Sequence, residues 1–148
     1  MLNVHPLFVH FPIALLMAAF GLEALGIILK HERLQYAAAW NLVLGAVGAI
    51  AAVITGLLAE GTISAGGAVG DLLRTHETLA LVATGLAVVL AAWRLRLRRG
   101  MSRRVRAAFV ALMLAMVIVI GVGAHHGGRM VYEFGAGASL KGAAYSAE

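Results

Sequence analysis

The stretch that decides the fold is Val105–Arg106–Ala107–Ala108–Phe109–Val110–Ala111–Leu112–Met113–Leu114–Ala115–Met116–Val117–Ile118–Val119–Ile120–Gly121–Val122–Gly123–Ala124. Beyond Arg106 no charge interrupts it, and a helix needs roughly 20 mostly apolar residues to cross the hydrocarbon core. Lipid offers no partner to backbone N–H and C=O groups, so such a run crosses as a helix that satisfies them internally. Three further stretches qualify or come close: Leu7 to Leu29, Tyr36 to Leu58 and about His76 to Trp93. The third is short and borrows Trp93 and snorkelling arginines to reach the interface. These spacings predict an all-α, integral membrane four-helix up-down bundle. Residues 1–134 form a single domain, and the Gly-, Ala- and Ser-rich residues 135–148 form a flexible tail.

Composition points the same way. The 148 residues are 61% hydrophobic and 13% charged, with a mean hydropathy of +0.91. A soluble domain of this length needs far more polar surface. There is no cysteine, which excludes thioether-attached haem, cysteine-ligated iron–sulfur clusters and disulfides. The N-terminus has no basic region of the kind that opens a cleaved signal peptide, so the first span is expected to stay as a structural helix. No internal repeat is evident.

The net charge of +5 is a matter of topology rather than of nucleic-acid binding. Nine of the twelve Lys/Arg residues flank two connections: Lys30 and Arg33 after the first span, and Arg94, Arg96, Arg98, Arg99, Arg103, Arg104 and Arg106 after the third. Such a bias marks cytoplasmic loops. The expected location is the bacterial inner (cytoplasmic) membrane, with the N- and C-termini on the non-cytoplasmic side together with a Gly-rich surface loop from Glu60 to Arg74. The lipid bilayer is the first partner, and anionic headgroups suit the arginine run. The short connection around His31–Glu32–Arg33 makes the first two spans antiparallel neighbours.

With this topology five of the six histidines gather near the non-cytoplasmic face: His5, His10, His76, His125 and His126. Imidazole is costly in lipid and, where it persists, faces a bundle interior or a site. It is also the side chain best suited to haem iron, copper or zinc. His5 and His10 sit in His5–Pro6–Leu7–Phe8–Val9–His10–Phe11–Pro12, which holds both prolines of the chain. Pro6 suits a first helical turn. Pro12 is expected to free the carbonyl of Phe8 and to bend or open the helix beside His10. Gly121 lies four residues before His125 and Gly123 three before His126, so each of these histidines has a small neighbour on its own face. Adjacent positions on a helix point about 100° apart, so one of the pair faces the bundle and the other the outer loops. The second span carries no histidine but a stripe of Gly45, Ala49, Ala52 and Gly56, which packs against a partner helix or lines a haem slot. Glu23, in the lower half of the first span, wants a partner or a proton, and Arg94 or Arg96 can reach it.

The opening His5–Pro6–Leu7–Phe8–Val9–His10–Phe11–Pro12–Ile13–Ala14–Leu15 resembles a widespread family of bacterial four-helix membrane proteins known as a domain of unknown function. Its members share an H-P-x-x-V-H-F-P-I-A-L start, a mid-chain histidine like His76 and a closing segment like Gly127 to Gly135, here with Arg129, Val131 and Tyr132. The resemblance covers nearly the whole chain. Some relatives are fused to, or encoded beside, cytochrome or Rieske-type domains, and the group looks like a distant branch of the two-haem membrane cytochromes. The resemblance implies redox work near the outer face and leaves open which histidines bind a cofactor.

The leading expectation is a membrane b-type cytochrome, an electron-transfer protein rather than a catalyst of its own. One haem b or two would be held by pairs drawn from His5, His10, His76, His125 and His126, with Arg74 and Arg129 placed to meet the propionates. A periplasmic cytochrome or a quinol is the expected redox partner. A second expectation is a non-haem zinc, copper or iron site with His10, His76, His125 and His126 as the candidate ligands, helped by Glu60, Asp71 or Glu77. A third is a structural subunit of a larger membrane complex or a homo-oligomer, with the histidines as polar glue.

Overall fold

The computed structural model describes residues 5–60, 67–97 and 101–135. It consists of α1 (His5–Ile28), α2 (Glu32–Glu60), α3 (Gly67–Arg96) and α4 (Arg103–Phe134). Among the described residues there is no strand. All four helices are long and apolar enough to cross a membrane, along Leu7–Ile28, Glu32–Leu58, Val69–Arg96 and Arg103–Phe134. They run up and down in sequence order. The hairpins α1–α2 and α3–α4 are the tightest pairs, α2 packs against α3, and α1 against α4 is the loosest seam.

The core is a column of small and flexible side chains. Leu16, Ala19, Leu42, Ala46, Ala87, Leu90, Phe109, Met113 and Met116 are all buried, and Trp93 meets Phe109 edge to face at 5.7 Å. The outside is apolar as well: Leu7, Val47, Ile54, Leu58, Val89 and Ile118 are exposed. A helix apolar all round belongs in lipid rather than in water.

Glycine sets how closely α1 and α2 approach. A Cβ at Gly45 would lie 2.7 Å from Leu16, and one at Gly48 would lie 3.2 Å from Phe11 and 3.4 Å from Pro12. At Gly26 it would meet the Gln35 side chain at 2.7 Å and its backbone nitrogen at 3.0 Å. The small stripe on α2 therefore packs against α1. The turn that follows is a Schellman arrangement, in which the amide of His31 donates to Gly26 O at 2.8 Å and that of Lys30 to Ile27 O at 3.3 Å. Lys30 holds the left-handed position at φ 51°, where glycine is the usual occupant.

Three expectations need correction. Pro12 does not open α1, which stays helical from His5 to Ile28. The proline is buried and packs beside Gly48, so a helix–helix contact takes up its ring. The stretch read as a surface loop from Glu60 to Arg74 is helical from Gly67 onward, residues 61–66 lying outside the described part. Its polar residues are compatible with a helix: Thr75 donates to Asp71 O and Thr78 to Arg74 O, while Arg74 pairs with Asp71 one turn away. Finally, α4 continues past Ala124 to Phe134, through Gly127 and Gly128. Buried Met130 anchors this extension, and Gly135 ends it in the left-handed conformation at φ 64°. Residues 136–148, the expected tail, lie outside the described part.

Candidate histidine site

At the end of the bundle that carries the N-terminus of α1 and the C-terminus of α4, two half-buried imidazoles from different hairpins each lie against a neighbouring helix. They are His5, in the first turn of α1, and His76, in the third turn of α3. Each is held at Nδ1. The His76 Nδ1–H donates to Gly123 O of α4 at 2.9 Å. A carbonyl only accepts, so Nδ1 carries a hydrogen, and in the neutral ring the lone pair is then on Nε2. At His5, Nδ1 lies 3.2 Å from Thr55 Oγ1 of α2. The Thr55 hydroxyl spends its single proton on Ala52 O at 3.0 Å, so toward His5 it accepts, and Nδ1 again carries the hydrogen. Both rings thus adopt the same tautomer.

Each ring also rests on a glycine. A Cβ on Gly56 would lie 3.1 Å from His5 Cε1, and one on Gly127 would lie 3.1 Å from His76 Cε1 and 3.2 Å from its Nδ1. A Cβ at either position would make the ring give by a few tenths of an ångström. The two rings sense one another. His5 lies just before the span of α1, and its pKa is held below the ordinary 6.5, first by burial and then by the charge His76 would carry, with the Ala52 carbonyl opposing.

The other expected ligands go elsewhere. His10 is exposed. On an unbroken helix it points about 140° away from His5, so without a break at Pro12 the two cannot share a face. His125 and His126 stand edge to face with centroids 5.9 Å apart, His125 exposed and His126 half-buried. His126 donates from Nδ1 to Val122 O, one turn back on its own helix, at 2.9 Å. Gly121 has nothing within 4 Å of a Cβ, and Gly123 faces Leu79. The space for rings therefore comes from Gly56 and Gly127, not from the glycines that precede His125 and His126. Among the described residues no three His, Asp or Glu side chains group as a metal ion with three protein ligands requires.

The two rim arginines both have local partners. Arg129 makes a forked pair with Glu133, Nε and Nη2 reaching the carboxylate at 2.9 to 3.1 Å. With His125, Gly128 and Tyr132 this pair lines an open groove of about 270 Å³ on the outer flank of α4. Arg74 meets Asp71 at 3.6 Å with both side chains about 80% exposed, a contact that water screens heavily.

Sequence reasoning missed Thr55 and the place of Gly127 beneath a ring, and it had Gly56 only as one member of the small stripe on the second span. Their signals were a Thr–Gly step at the depth of His5, and a second glycine four residues after Gly123 on the same helical face.

No curated protein and no solved structure matches the chain. A family model described as a predicted membrane protein (DUF2231) matches residues 1–140. That match carries a family and a membrane, and no cofactor. Because it takes in nearly the whole length of a bundle whose four helices can each span a bilayer, the chain belongs to the DUF2231 family of predicted membrane proteins.

Proposed function

We propose that this chain is a membrane electron carrier of the b-type cytochrome kind, with a haem iron held between His5 of α1 and His76 of α3. One observation carries the reading. Two half-buried imidazoles from different hairpins lie at one end of the bundle, each fixed at Nδ1 by an oxygen and each lying on a glycine. Histidines that ligate metals characteristically donate their second ring N–H in this way, which orients the ring and raises its basicity. The donor set fits haem iron, which takes two axial imidazoles in electron-transfer proteins.

When bound, the haem supplies one-electron transfer. The protein's part is positional. Thr55 and Gly123 O hold the tautomers, and Gly56 and Gly127 leave room for the rings. Arg74 can exchange its exposed Asp71 partner for a propionate, whereas Arg129 is committed to Glu133. His125 and His126 are adjacent on one helix and would not together hold a second iron, so this reading takes one haem per chain. By the positive-inside rule the arginine-rich end faces the cytoplasm, which puts the site and both termini on the other side of an inner membrane. A soluble cytochrome or a membrane quinol is the matching class of redox partner.

The test is an optical spectrum of the chain purified from haem-replete cells, oxidised and then reduced. A b-type Soret and α-band is expected, lost in His5→Ala and His76→Ala and kept in His10→Ala and His125→Ala. A colourless preparation would sink the proposal. That outcome would favour a second reading, in which the imidazoles are polar glue. The bonds from His5 to Thr55 and from His76 to Gly123 each tie one hairpin together, as interhelical hydrogen bonds do in membranes.

A further inference from the structure

The opposite end of the bundle holds a second polar cluster, to which every helix contributes. Glu23 of α1 is 2% exposed, the one buried charged side chain among the described residues. Arg94 of α3 and Arg106 of α4 are the charges that act on it. From α2, Gln35 donates through Nε2 to Gly26 O at 3.1 Å, and its backbone carbonyl accepts from Arg94 Nη2 at 3.4 Å. Two atoms of this cluster are buried without any hydrogen-bond partner: the acceptor Glu23 Oε2 and the donor Arg94 Nε.

A carboxylate taken out of water in this way is costly unless it is hydrogen-bonded or neutralised. Neither guanidinium is within ion-pair contact of it among the described residues, where the salt bridges are Arg74–Asp71 and Arg129–Glu133. An orphaned acceptor and an orphaned donor in one cluster suit a molecule that both gives and takes a hydrogen bond. Water does this, and buried waters characteristically bridge such groups. Water beside a carboxyl is also the route by which a proton reaches it.

We propose that Glu23 is an exchangeable proton-binding site inside the membrane, hydrated by water shared with Arg94 and reached from the arginine-rich end. The step is a simple transfer: a hydronium ion from that side gives its proton to a Glu23 carboxylate oxygen, leaving a neutral carboxyl and water. Arg94 and Arg106 are the cations that act on this carboxyl. Gln35 is neutral and adds no titrating group. The site stands apart from the histidine pair and does not depend on any cofactor there.

Infrared difference spectroscopy of the full chain in lipid tests it. On acidification the C=O stretch of a protonated carboxyl should appear and shift promptly in heavy water, and it should be absent in Glu23→Gln. Finding no such band, or the same band in Glu23→Gln, overturns the proposal. Should Glu23→Gln fail to fold, Arg94→Gln leaves the carboxyl in place and removes one cation. The midpoint should then move up, and an unmoved midpoint counts against the site. In oriented vesicles the band should follow the pH on the arginine-rich side. A response confined to the other side overturns the route.

Discussion

At the histidine end, His5 and His76 each bond an oxygen of the neighbouring helix and lie on a glycine, whereas at the arginine end Glu23 and Arg94 each keep a buried atom that no protein group reaches. The difference follows from the groups themselves. A neutral imidazole has one donor and one acceptor, so a single helix neighbour settles its orientation and leaves its lone pair defined. A carboxylate and a guanidinium carry several sites each and need a hydrated shell or a close ion pair. A lipid-embedded bundle can therefore hold a small number of imidazoles in register once each ring N–H has an oxygen partner. Charges are better kept near an end where water can enter.

Glycine exposes the same contrast and gives the largest expected effect. At Gly26 a Cβ would meet the backbone nitrogen of Gln35 at 3.0 Å, which cannot yield without opening the α1–α2 hairpin. Overpacking of this kind costs about 1–3 kcal/mol, so Gly26→Ala should lower the unfolding temperature in detergent markedly. At Gly127 the atom met is the rim of the His76 ring, which can swing away. Gly127→Ala should cost less stability yet disturb any ligand bound at His76. Equal thermal losses at the two positions would erase the distinction between the ends.

A smaller loss is expected where a ring is removed outright. His76→Ala deletes one interhelical hydrogen bond, worth about 1 kcal/mol. The Gly123 carbonyl lies inside α4, within reach of the amide one turn further on, so it is not orphaned. His10→Ala, at an exposed position on α1, should change thermal stability less. Calorimetry or thermal denaturation of both variants ranks the histidines by burial, and a larger effect at His10 would break the assignment of the interior pair.

How much of this was readable beforehand varies along the chain. The fold class was plain, since apolar runs such as Val105–Ala124 leave few alternatives once lipid is the solvent. Helix ends were not. Hydropathy measures what lies in hydrocarbon, so it stopped at Ala124 and began at His76, while the helices run on to Phe134 and start at Gly67. The polar turns there are stabilised by pairs such as Arg129–Glu133, which a hydropathy window reads as loop. For the site, depth was legible and facing was not. His5 and His76 were among the candidates by depth, but the choice of His10 rested on a break at Pro12 that glycine packing at position 48 makes unnecessary. Thr55 and Gly127 matter only through their neighbours on other helices, and one chain read alone does not give those pairings.

At the histidine end acid should act gently. The pKa of His5 is lowered in the folded chain, so below the unfolded value of 6.5 the unfolded state binds more protons than the folded one. Its contribution is fully present above pH 6.5 and is lost as the pH falls through the lower folded value. In the cofactor-free chain the midpoint of thermal unfolding should therefore decline on acidification through this window, and His5→Gln should flatten the slope. A slope unchanged in His5→Gln would mean that the ring is not buried against α2.

The smallest effect is expected at the turn that joins α1 to α2, on the arginine end. Lys30 occupies the left-handed position of a Schellman cap at φ 51°. That conformation costs an L-residue with a Cβ about 1–2 kcal/mol, and glycine avoids the cost. Glycine also widens the unfolded ensemble, which takes back roughly 0.5–1 kcal/mol. The two nearly cancel, so Lys30→Gly should stabilise by only a few tenths to about 1 kcal/mol, readable as a slight rise in the unfolding midpoint. A clear destabilisation would mean that the lysine side chain does more than fill the turn, for instance by holding lipid phosphate. Repeating the measurement in neutral and in anionic lipid separates the two: backbone strain is indifferent to headgroup charge, whereas a lysine–phosphate contact is not.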